Sequence, residues 1–238
     1  CYAKFVYDKG ILSKSTFTVE TLAGPRIPVN NIGTDGSVNT VRVDMGEPVL
    51  EAKKVPFVSA NESAVSEELD VDGTKVNVTA VSMGNPHAII FVDKIGNAPV
   101  RELGPKIEKH KRFPEKTNVE FVEVISDDEM IMHVWERGAG ETLACGTGSC
   151  ATLVAANING KTGTKATIHL LGGDLLIEWN KENNHIYMTG AATTVFEGEI
   201  EILTVPTRSG YISMLSNHAP LVSALEAGEI VVKTKGGN

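Results

Sequence analysis

The segment with the clearest chemical potential is Ala144-Cys145-Gly146-Thr147-Gly148-Ser149-Cys150, a glycine-rich turn that opens a run of small residues. The run predicts a helix over 146–158 with Cys145 at its N-terminus. Unpaired N–H groups in the first turn of a helix, together with the positive end of its dipole, attract anions and lower the pKa of a thiol. The glycines also let a carboxylate approach the backbone. One turn is therefore predicted to hold both a thiolate and the anionic end of a substrate.

Cys145 is open to other interpretations. A buried, inert apolar role is one of them, and it suits Cys150 better because that residue falls on the inner face of the predicted helix. Zinc is disfavoured because four residues separate the two cysteines, with no second cysteine pair and no histidine cluster nearby. A phosphate loop would need a Gly-Lys-Ser/Thr ending. A cysteine protease would need an orienting histidine, for which His87 or His133 could be nominated, but nothing marks a leaving-group apparatus.

Composition restricts the class of protein. The chain has 238 residues, of which 42% are hydrophobic and 22% charged, so it can bury a core and form one or two globular domains. The 23 glycines and 5% aromatics favour a turn-rich mixed fold over a small helical bundle. Because 30 acidic residues oppose 22 lysines and arginines, nucleic acid is a poor candidate partner.

The location and the state of the thiols follow from similar arguments. No apolar run approaches the roughly 18 residues that cross a bilayer, and the first ten residues lack the apolar region of a secretory signal. A membrane segment is therefore not expected, and a cytoplasmic location is the default. The three cysteines, Cys1, Cys145 and Cys150, are too few for a disulfide framework, so free thiols are expected.

Apolar periodicity predicts an α+β fold. Residues 1–9 resemble the last turns of a helix, and Phe17 and Val19 alternate with polar residues as in a half-buried strand. Residues 46–74 are polar and turn-rich, with Val55–Val58 as one short extended segment, so a domain junction is expected there. Further strands are predicted at 41–45, 76–83, 87–92, 119–124, 130–135, 166–171, 175–179 and 185–188, and helices at 99–111 and 146–158. Short connections such as Gly172-Gly173 favour antiparallel sheets wrapped on a helix.

An internal repeat suggests two related halves. When the chain is shifted by 149 residues, three matches appear without a gap: Cys1 with Cys150, Val19 with Ile168, and Ala23-Gly24 with Gly172-Gly173. The order helix, turn, strand, turn also agrees across this shift. The residues before Cys1 are therefore expected to carry a second cysteine-glycine turn, which this chain lacks.

Several longer motifs resemble diaminopimelate epimerase, and they share its order and spacing. They are Met83-Gly84-Asn85-Pro86-His87, Glu136-Arg137-Gly138-Ala139-Gly140-Glu141-Thr142, Ala144-Cys145-Gly146-Thr147-Gly148, Arg112-Phe113-Pro114 to Asn118, and Tyr187-Met188-Thr189-Gly190. The resemblance covers roughly residues 1–200. It implies an isomerase that uses no cofactor and no metal, interconverting LL- and meso-diaminopimelate in lysine and peptidoglycan precursor synthesis.

The resemblance also implies an architecture. It is a pseudo-symmetric, two-domain α+β fold in which each half is a largely antiparallel sheet around a central helix. On this basis residues 1–45 are a remnant of the truncated first domain, and residues 46–191 form the second domain. Residues 192–203 are expected to return to the first domain as a closing strand, and residues 204–238 form a C-terminal β tail.

Epimerase chemistry accounts for the residue types. An amino-acid α-hydrogen is only feebly acidic, so without a cofactor the developing carbanion must be stabilised by fixed dipoles in a closed site. Inversion then needs one acid-base group on each face of the α-carbon. The resemblance assigns these groups to two cysteines, of which Cys145 is one. By the same resemblance Glu136 partners Cys145 in handling protons, and His87 orients the opposite thiol.

The remaining site residues are implied to bind the substrate, a small amino acid. The amides of Gly146 and Thr147 hold its α-carboxylate, and its distal end is held by Asn85, Asn118 and Arg137, the arginine through a bidentate fork. Each polar residue also has a structural alternative. Asn85 could form a turn before Pro86, Asn118 could cap a loop, Glu136-Arg137 could be an exposed charge pair, and His87 could be a structural histidine.

The N-terminal end departs from the family. The part that carries the first cysteine-glycine turn and further substrate-binding asparagines is absent, and Cys1 matches a later, non-catalytic cysteine of that turn. Because two-face chemistry needs two thiols, the chain is expected to be a fragment that is inactive alone. Measurable inversion of diaminopimelate by the purified 238-residue chain would refute this expectation. A homodimer is a further possibility.

The C-terminal end resembles a second family. Residues 204–233, notably Ser216–Val222 and Gly228–Val232, are similar to the epsilon subunit of the rotary ATP synthase near its N-terminus, and Val195–Ile200 suits both families. The alternative hypothesis is therefore an epsilon-like structural protein with an epimerase-derived extension, in which Cys145→Ser should not matter. The epimerase hypothesis fits far more residues. ATP synthase subunits are expected as partners only if the tail is functional.

Overall fold

The computed structural model describes residues 2–20, 24–194, 200–207, 210–215 and 231–234. The chain divides into two units, Cys1–Ala192 and Thr193–Asn238, and each is described by itself. Among the described residues, no helix is long and apolar enough to span a membrane.

The first unit mixes helices with many strands. Its helices are α1 (Tyr2–Asp8), α2 (Val100–Glu108) and α3 (Gly146–Ile158), and Ile95–Asn97 forms a turn of 3-10 helix. Its strands are β1 (Pro28–Ile32), β2 (Val38–Gly46), β3 (Glu67–Val71), β4 (Thr74–Ser82), β5 (Pro86–Phe91), β6 (Asn118–Ser126), β7 (Glu129–Glu136), β8 (Gly140–Thr142), β9 (Lys165–Leu170), β10 (Gly173–Trp179) and β11 (Ile186–Ala191).

These strands form one sheet in the order β1-β2-β11-β10-β9-β7-β6-β5-β4-β3, with β8 paired to β7 off this path. Two neighbouring pairs are parallel, β5 with β6 and β7 with β9. The other pairs recorded for the described strands of this unit are antiparallel. The predicted α+β class with largely antiparallel strands is confirmed.

Helix α3 is the centre of the larger core. Its residues 148–156 are buried on every side, which explains why the sequence has small and apolar residues there without a polar stripe. Leu153 and Val154 pack with Met132 and Ile168 from the surrounding strands. A second core lies around α2, where Leu103 and Ile107 join apolar residues of the adjoining strands. The sheet thus holds the N-terminus of α3 beside the ends of β5, β6 and β7.

One predicted strand and one predicted extended segment are wrong, and a proline lies at each. Phe17 and Val19 make no continuous ladder; isolated bridges join Thr16 to Val29 and Val19 to Arg26. That register places Phe17 opposite Pro28, which has no N–H to donate. The extended segment Val55–Val58 also includes a proline, Pro56.

The chain around Val55 forms a turn instead of an extended segment. The Val55 N–H donates to the Glu51 carbonyl at 3.0 Å, and the Phe57 N–H donates to the Ala52 carbonyl at 2.7 Å. Both apolar side chains are buried and belong to the core around α2. Strands β1, β3 and β8 are not among the sequence predictions, and β3 lies within the segment 46–74 that was expected to be turn-rich.

The second unit contains β12 (Ile200–Thr207), β13 (Gly210–Leu215) and β14 (Val231–Thr234), which form an antiparallel sheet in the order β13-β12-β14. Three segments singled out in the sequence lie outside the described residues: Val195–Glu199, Ser216–Val222 and Gly228–Ile230. Cys1 and Ala23 do so as well. The domain boundaries expected after residues 45, 191 and 203 stay predictions.

Candidate active site

Cys145 is the N-cap residue of α3, as predicted, and its side chain is buried. The Ser149 backbone N–H and the Ser149 hydroxyl both donate to the Cys145 carbonyl, each at 2.9 Å. The Thr147 hydroxyl lies 3.7 Å from the Cys145 sulfur. The first turn of the helix therefore places the sulfur rigidly at its N-terminal end.

Two glycines leave the space that this arrangement needs. A Cβ atom at Gly148 would lie 2.6 Å from Glu120 Oε1, closer than real contacts allow, and 3.1 Å from Cys145 Sγ, tighter than most real contacts. A Cβ at Gly146 would lie 3.0 Å from the sulfur of Met188 on β11. Glycine at position 148 thus allows the thiol and a carboxyl group to approach the helix backbone together.

The predicted lowering of the Cys145 pKa is wrong. Burial of the thiol and the negative charges of Glu120 and Glu136 raise its pKa to about 12. The Gly148 N–H and the Thr147 hydroxyl act in the opposite direction but do not outweigh burial. The helix terminus alone supported the prediction, because a linear sequence does not show which carboxyl groups converge on the sulfur.

This raised pKa predicts a slow, strongly pH-dependent alkylation of Cys145. Only the thiolate reacts with iodoacetamide, so the rate should rise about tenfold per pH unit from pH 7 to 10 without levelling off. In the urea-unfolded chain the same peptide should level off near the ordinary thiol pKa of about 8.5. Cys1 lies on a different peptide, and tandem mass spectrometry of the peptide that carries both Cys145 and Cys150 assigns the label to one of the two sulfurs. A plateau below pH 9 in the folded chain would contradict the assigned environment.

The same region holds a buried pair that sequence reasoning missed in part. His87 on β5 and Glu120 on β6 have no exposed surface, and His87 Nδ1 lies 2.6 Å from Glu120 Oε1. The parallel pairing of β5 with β6 sets His87 beside Asn118 and brings Glu120 onto the site. The signal available in the sequence was a glutamate within the apolar run 119–122, two residues after Asn118.

A chain of polar contacts links this pair to the helix terminus. His87 Nε2 lies 3.1 Å from Asn85 Oδ1, and Asn85 Nδ2 donates to the Thr147 hydroxyl at 3.4 Å. Asn85 follows Gly84, whose φ of +93° forms the turn between β4 and β5. The predicted residues Asn85, His87, Thr147 and Cys145 are therefore brought together.

Glu136 and Arg137 lie at the other side, where β7 ends. Glu136 is half-buried and accepts a hydrogen bond from the Thr142 hydroxyl at 2.5 Å. Arg137 is exposed, and its Nη1 donates to the Glu115 carbonyl at 3.0 Å. The negative charge of Glu136 contributes to the raised pKa of Cys145, so this carboxyl group lies within electrostatic reach of the sulfur.

Asn118 is buried, and both polar atoms of its side-chain amide form hydrogen bonds with backbone groups. Its Oδ1 accepts the Arg137 N–H at 2.9 Å, and its Nδ2 donates to the Pro86 carbonyl at 3.0 Å. Glu108, which sequence reasoning missed, accepts the Gly138 N–H at 3.2 Å. Asn118 and Glu108 therefore hold the backbone of the turn that presents Arg137.

One nitrogen, oxygen or sulfur atom from each of His87, Glu120 and Cys145 lies within 4.8 Å of the other two. Residues of these types can bind a transition metal. Both ring nitrogens of His87 already contact oxygen atoms of Glu120 and Asn85. A metal ion would have to displace one of these contacts, so the group is better suited to holding protons than to holding an ion.

Two solved structures have folds similar to that of this chain. The chain superposes on a hydroxyproline epimerase from Agrobacterium vitis with a TM-score of 0.60 and 15% identity, over 90% of this chain and 64% of that one. A phenazine biosynthesis protein of the PhzF family from Bacillus anthracis gives a TM-score of 0.56 and 15% identity, over 89% and 73%. The fold is therefore of the type found in these two proteins.

Comparison with related sequences is more specific. A diaminopimelate epimerase of Methanococcus maripaludis strain C5 is 54% identical over 202 residues, 85% of this chain and 73% of that protein. One from Heliobacterium modesticaldum is also 54% identical over 202 residues, 85% and 72% of the two chains. Residues 79–195 match the family described as diaminopimelate epimerase. The chain belongs to the diaminopimelate epimerase family, a family of isomerases.

The C-terminal resemblance is confirmed as well. Residues 184–238 match the family described as ATP synthase, Delta/Epsilon chain, beta-sandwich domain. That match overlaps the end of the epimerase match at residues 184–195. Because the epimerase relatives account for 85% of the chain, the alternative of an ATP synthase subunit with an extension is not favoured.

Proposed function

We propose that Cys145 is the acid-base group that acts on one face of the α-carbon of diaminopimelate, in the cofactor-independent interconversion of the LL and meso isomers. The observation that carries this proposal is the sulfur at the N-terminus of α3 with His87 and Glu120 beside it. A small-molecule amino acid is the substrate class of the family. The curated relatives are diaminopimelate epimerases, and their activity supports the choice of substrate.

The α-carboxylate is proposed to bind at the first turn of α3, at the N–H groups of Gly146 and Thr147. Those N–H groups are not used within a helix, and the helix dipole adds a positive potential. Bound there, a carboxylate could place the α-carbon near the Cys145 sulfur. The same N–H groups would stabilise negative charge that develops on the carboxylate when the α-hydrogen leaves.

The raised pKa of Cys145 has two opposite effects on its action as a base: the thiolate is scarce at neutral pH, but each thiolate that forms is strongly basic. The α-hydrogen is weakly acidic, and a thiolate whose conjugate acid is weak takes it more readily. Before substrate binds, burial and the carboxyl groups disfavour the thiolate. The α-ammonium group of a bound amino acid would bring a positive charge next to the sulfur and offset those effects.

Glu136 is proposed to exchange protons with Cys145, and Arg137 with Asn85 to bind the distal amino-acid end. Arg137 is exposed and carries the planar fork that matches a carboxylate. Asn118 is proposed to act on the distal end mainly by holding the backbone of Arg137, since its amide already bonds to Arg137 and Pro86. The proposed role of His87 in orienting the opposite thiol is kept. Because His87 also lies beside Cys145, we propose that it acts on the Cys145 face of the α-carbon as well.

The function is tested by following deuterium incorporation at the α-carbon when the 238-residue chain is incubated with diaminopimelate in D₂O. We expect incorporation well above the buffer rate. Lysine, which lacks the distal carboxylate, should exchange about 100-fold more slowly because the Arg137 fork would be unpaired. Equal rates for the two amino acids would contradict the proposed orientation, and no incorporation with either would contradict the proposed function.

Three expectations remain predictions: a homodimer, a cytoplasmic location, and the absence of inversion by this chain alone. The exchange experiment addresses the last of these when the product isomers are separated. Exchange requires one acid-base group, whereas inversion requires a second group on the opposite face.

A further inference from the structure

Glu120 is a buried carboxyl group, and the free-energy cost of burying its negative charge must be offset by its neighbours. It is the third residue of β6 and has no exposed surface, and its flanking residues Val119 and Phe121 are fully buried too. Its Oε1 lies 2.6 Å from His87 Nδ1, while its Oε2 has no hydrogen-bond partner among the described residues. Burial raises the pKa of Glu120, and His87 acts against that rise. An unpaired carboxylate would strongly destabilise the fold here, so the negative charge of Glu120 depends on its pairing with His87.

The contacts of His87 limit where its protons lie. The Asn85 amide nitrogen donates to Thr147, which directs the Asn85 oxygen toward His87 Nε2 at 3.1 Å. A carbonyl oxygen only accepts, so Nε2 carries a hydrogen. The remaining proton of the pair lies along the hydrogen bond between Nδ1 and Glu120 Oε1. Bound to Nδ1 it makes the ring cationic and the carboxyl group anionic, and the pair stays neutral overall.

A positive charge on His87 would favour the thiolate form of Cys145, which otherwise lies among negatively charged groups. The titratable groups that face the sulfur are Glu120 on β6, Glu136 at the end of β7, His87 on β5, and Cys150 on α3 itself. Of these, only the His87 ring can become positively charged. A thiolate beside two carboxyl groups in a buried site is favoured only when a cation lies close to it.

We propose that Glu120 is a positioning residue for the proposed reaction: it fixes the ring of His87 and holds a proton on Nδ1, so that a cationic imidazole lies next to the Cys145 sulfur. This inference rests on the proposed role of Cys145. The proton moves only along the hydrogen bond between Oε1 and Nδ1, so no proton enters or leaves the pair. Glu120 itself contacts neither the α-carbon nor the substrate in this proposal.

The direct test is ¹⁵N NMR of the histidine rings in the full chain, with the His87 signals identified by their loss in His87→Gln. At pH 8, above the ordinary histidine pKa of about 6.5, both His87 nitrogens should have the shifts of a protonated ring. In Glu120→Gln one nitrogen should lose its proton and give a neutral ring. A neutral His87 in the unaltered chain at pH 8 overturns the proposal by itself.

Matched variants separate this role from a purely structural one. Glu123→Gln removes another buried carboxyl group of β6, one that pairs with Lys94 and the Ile95 N–H, and it should leave the His87 signals unchanged. Glu120→Gln should lower kcat for α-hydrogen exchange about 100-fold with KM altered less than about threefold. Glu120→Asp, which keeps the charge, should restore part of the lost rate and of the protonated signals.

The two proposals fail in different measurements. The NMR spectrum does not depend on turnover, so an unchanged His87 ring in folded Glu120→Gln overturns the role of Glu120 whatever the activity is. Exchange that continues without Cys145 overturns the proposed function, even when the His87 ring responds to Glu120→Gln as expected.

Discussion

Replacement of Cys145 by serine should reduce α-hydrogen exchange from diaminopimelate by at least about 1,000-fold, measured as deuterium incorporation in D₂O. A serine hydroxyl has nearly the size of the thiol but a much higher pKa, so it cannot serve as the base at neutral pH. The N-cap position tolerates serine well, and the helix should keep its stability. The effect is therefore expected on the exchange rate and not on folding.

The control for this variant is Cys150→Ser. Cys150 lies fully buried within α3, and burial raises its pKa as well. The substitution introduces a hydroxyl group into the core and should cost about 1–3 kcal/mol of unfolding free energy, with an exchange rate within about threefold of the unaltered chain. Loss of exchange in Cys150→Ser together with normal exchange in Cys145→Ser would reverse the assignment of the two thiols.

Substitution of Gly148 by alanine should lower the exchange rate about 100-fold. The added Cβ would lie 2.6 Å from Glu120 Oε1 and 3.1 Å from the Cys145 sulfur. Since α3 is held in the core, the thiol or the Glu120–His87 pair must move, and a displacement near 1 Å can cost about two orders of magnitude in rate. The strain should also lower the unfolding free energy by about 1–3 kcal/mol.

Gly96→Ala is the matched control, since a Cβ at Gly96 meets nothing within 4 Å and the residue lies in the 3-10 turn. It should leave the exchange rate and the unfolding free energy nearly unchanged, as measured by the same assay and by urea titration. Gly148→Ala with full activity would show that the reaction does not need the close approach of the thiol and the Glu120 carboxyl group to the helix backbone.

Local patterns were sufficient to predict much of this fold. Helix α3 has the predicted bounds because small apolar residues follow a glycine-rich N-terminus without interruption. Strands such as β6 and β7 were predicted from their apolar runs, although their observed bounds are one to two residues longer. The motifs around Asn85, Glu136 and Cys145 were recognised because each is contiguous in the sequence.

Other features depend on which residues meet across the sheet. The register of β5 with β6 brings Glu120 to His87, and nothing local to either strand shows that pairing. The Cys145 pKa was predicted from the helix terminus, but the carboxyl groups and burial that raise it come from other elements. The strand predicted at Phe17 was wrong because its ladder partner is Pro28, a residue eleven positions away.

The central claim is tested most directly by supplying LL- and meso-diaminopimelate separately to the chain in D₂O and comparing it with Cys145→Ser. We predict that deuterium enters the α-carbon of the isomer whose α-hydrogen faces Cys145, and that this incorporation disappears in the folded serine variant. Equal deuterium incorporation by the two proteins, with either isomer, would show that the Cys145 sulfur does not act at the α-carbon.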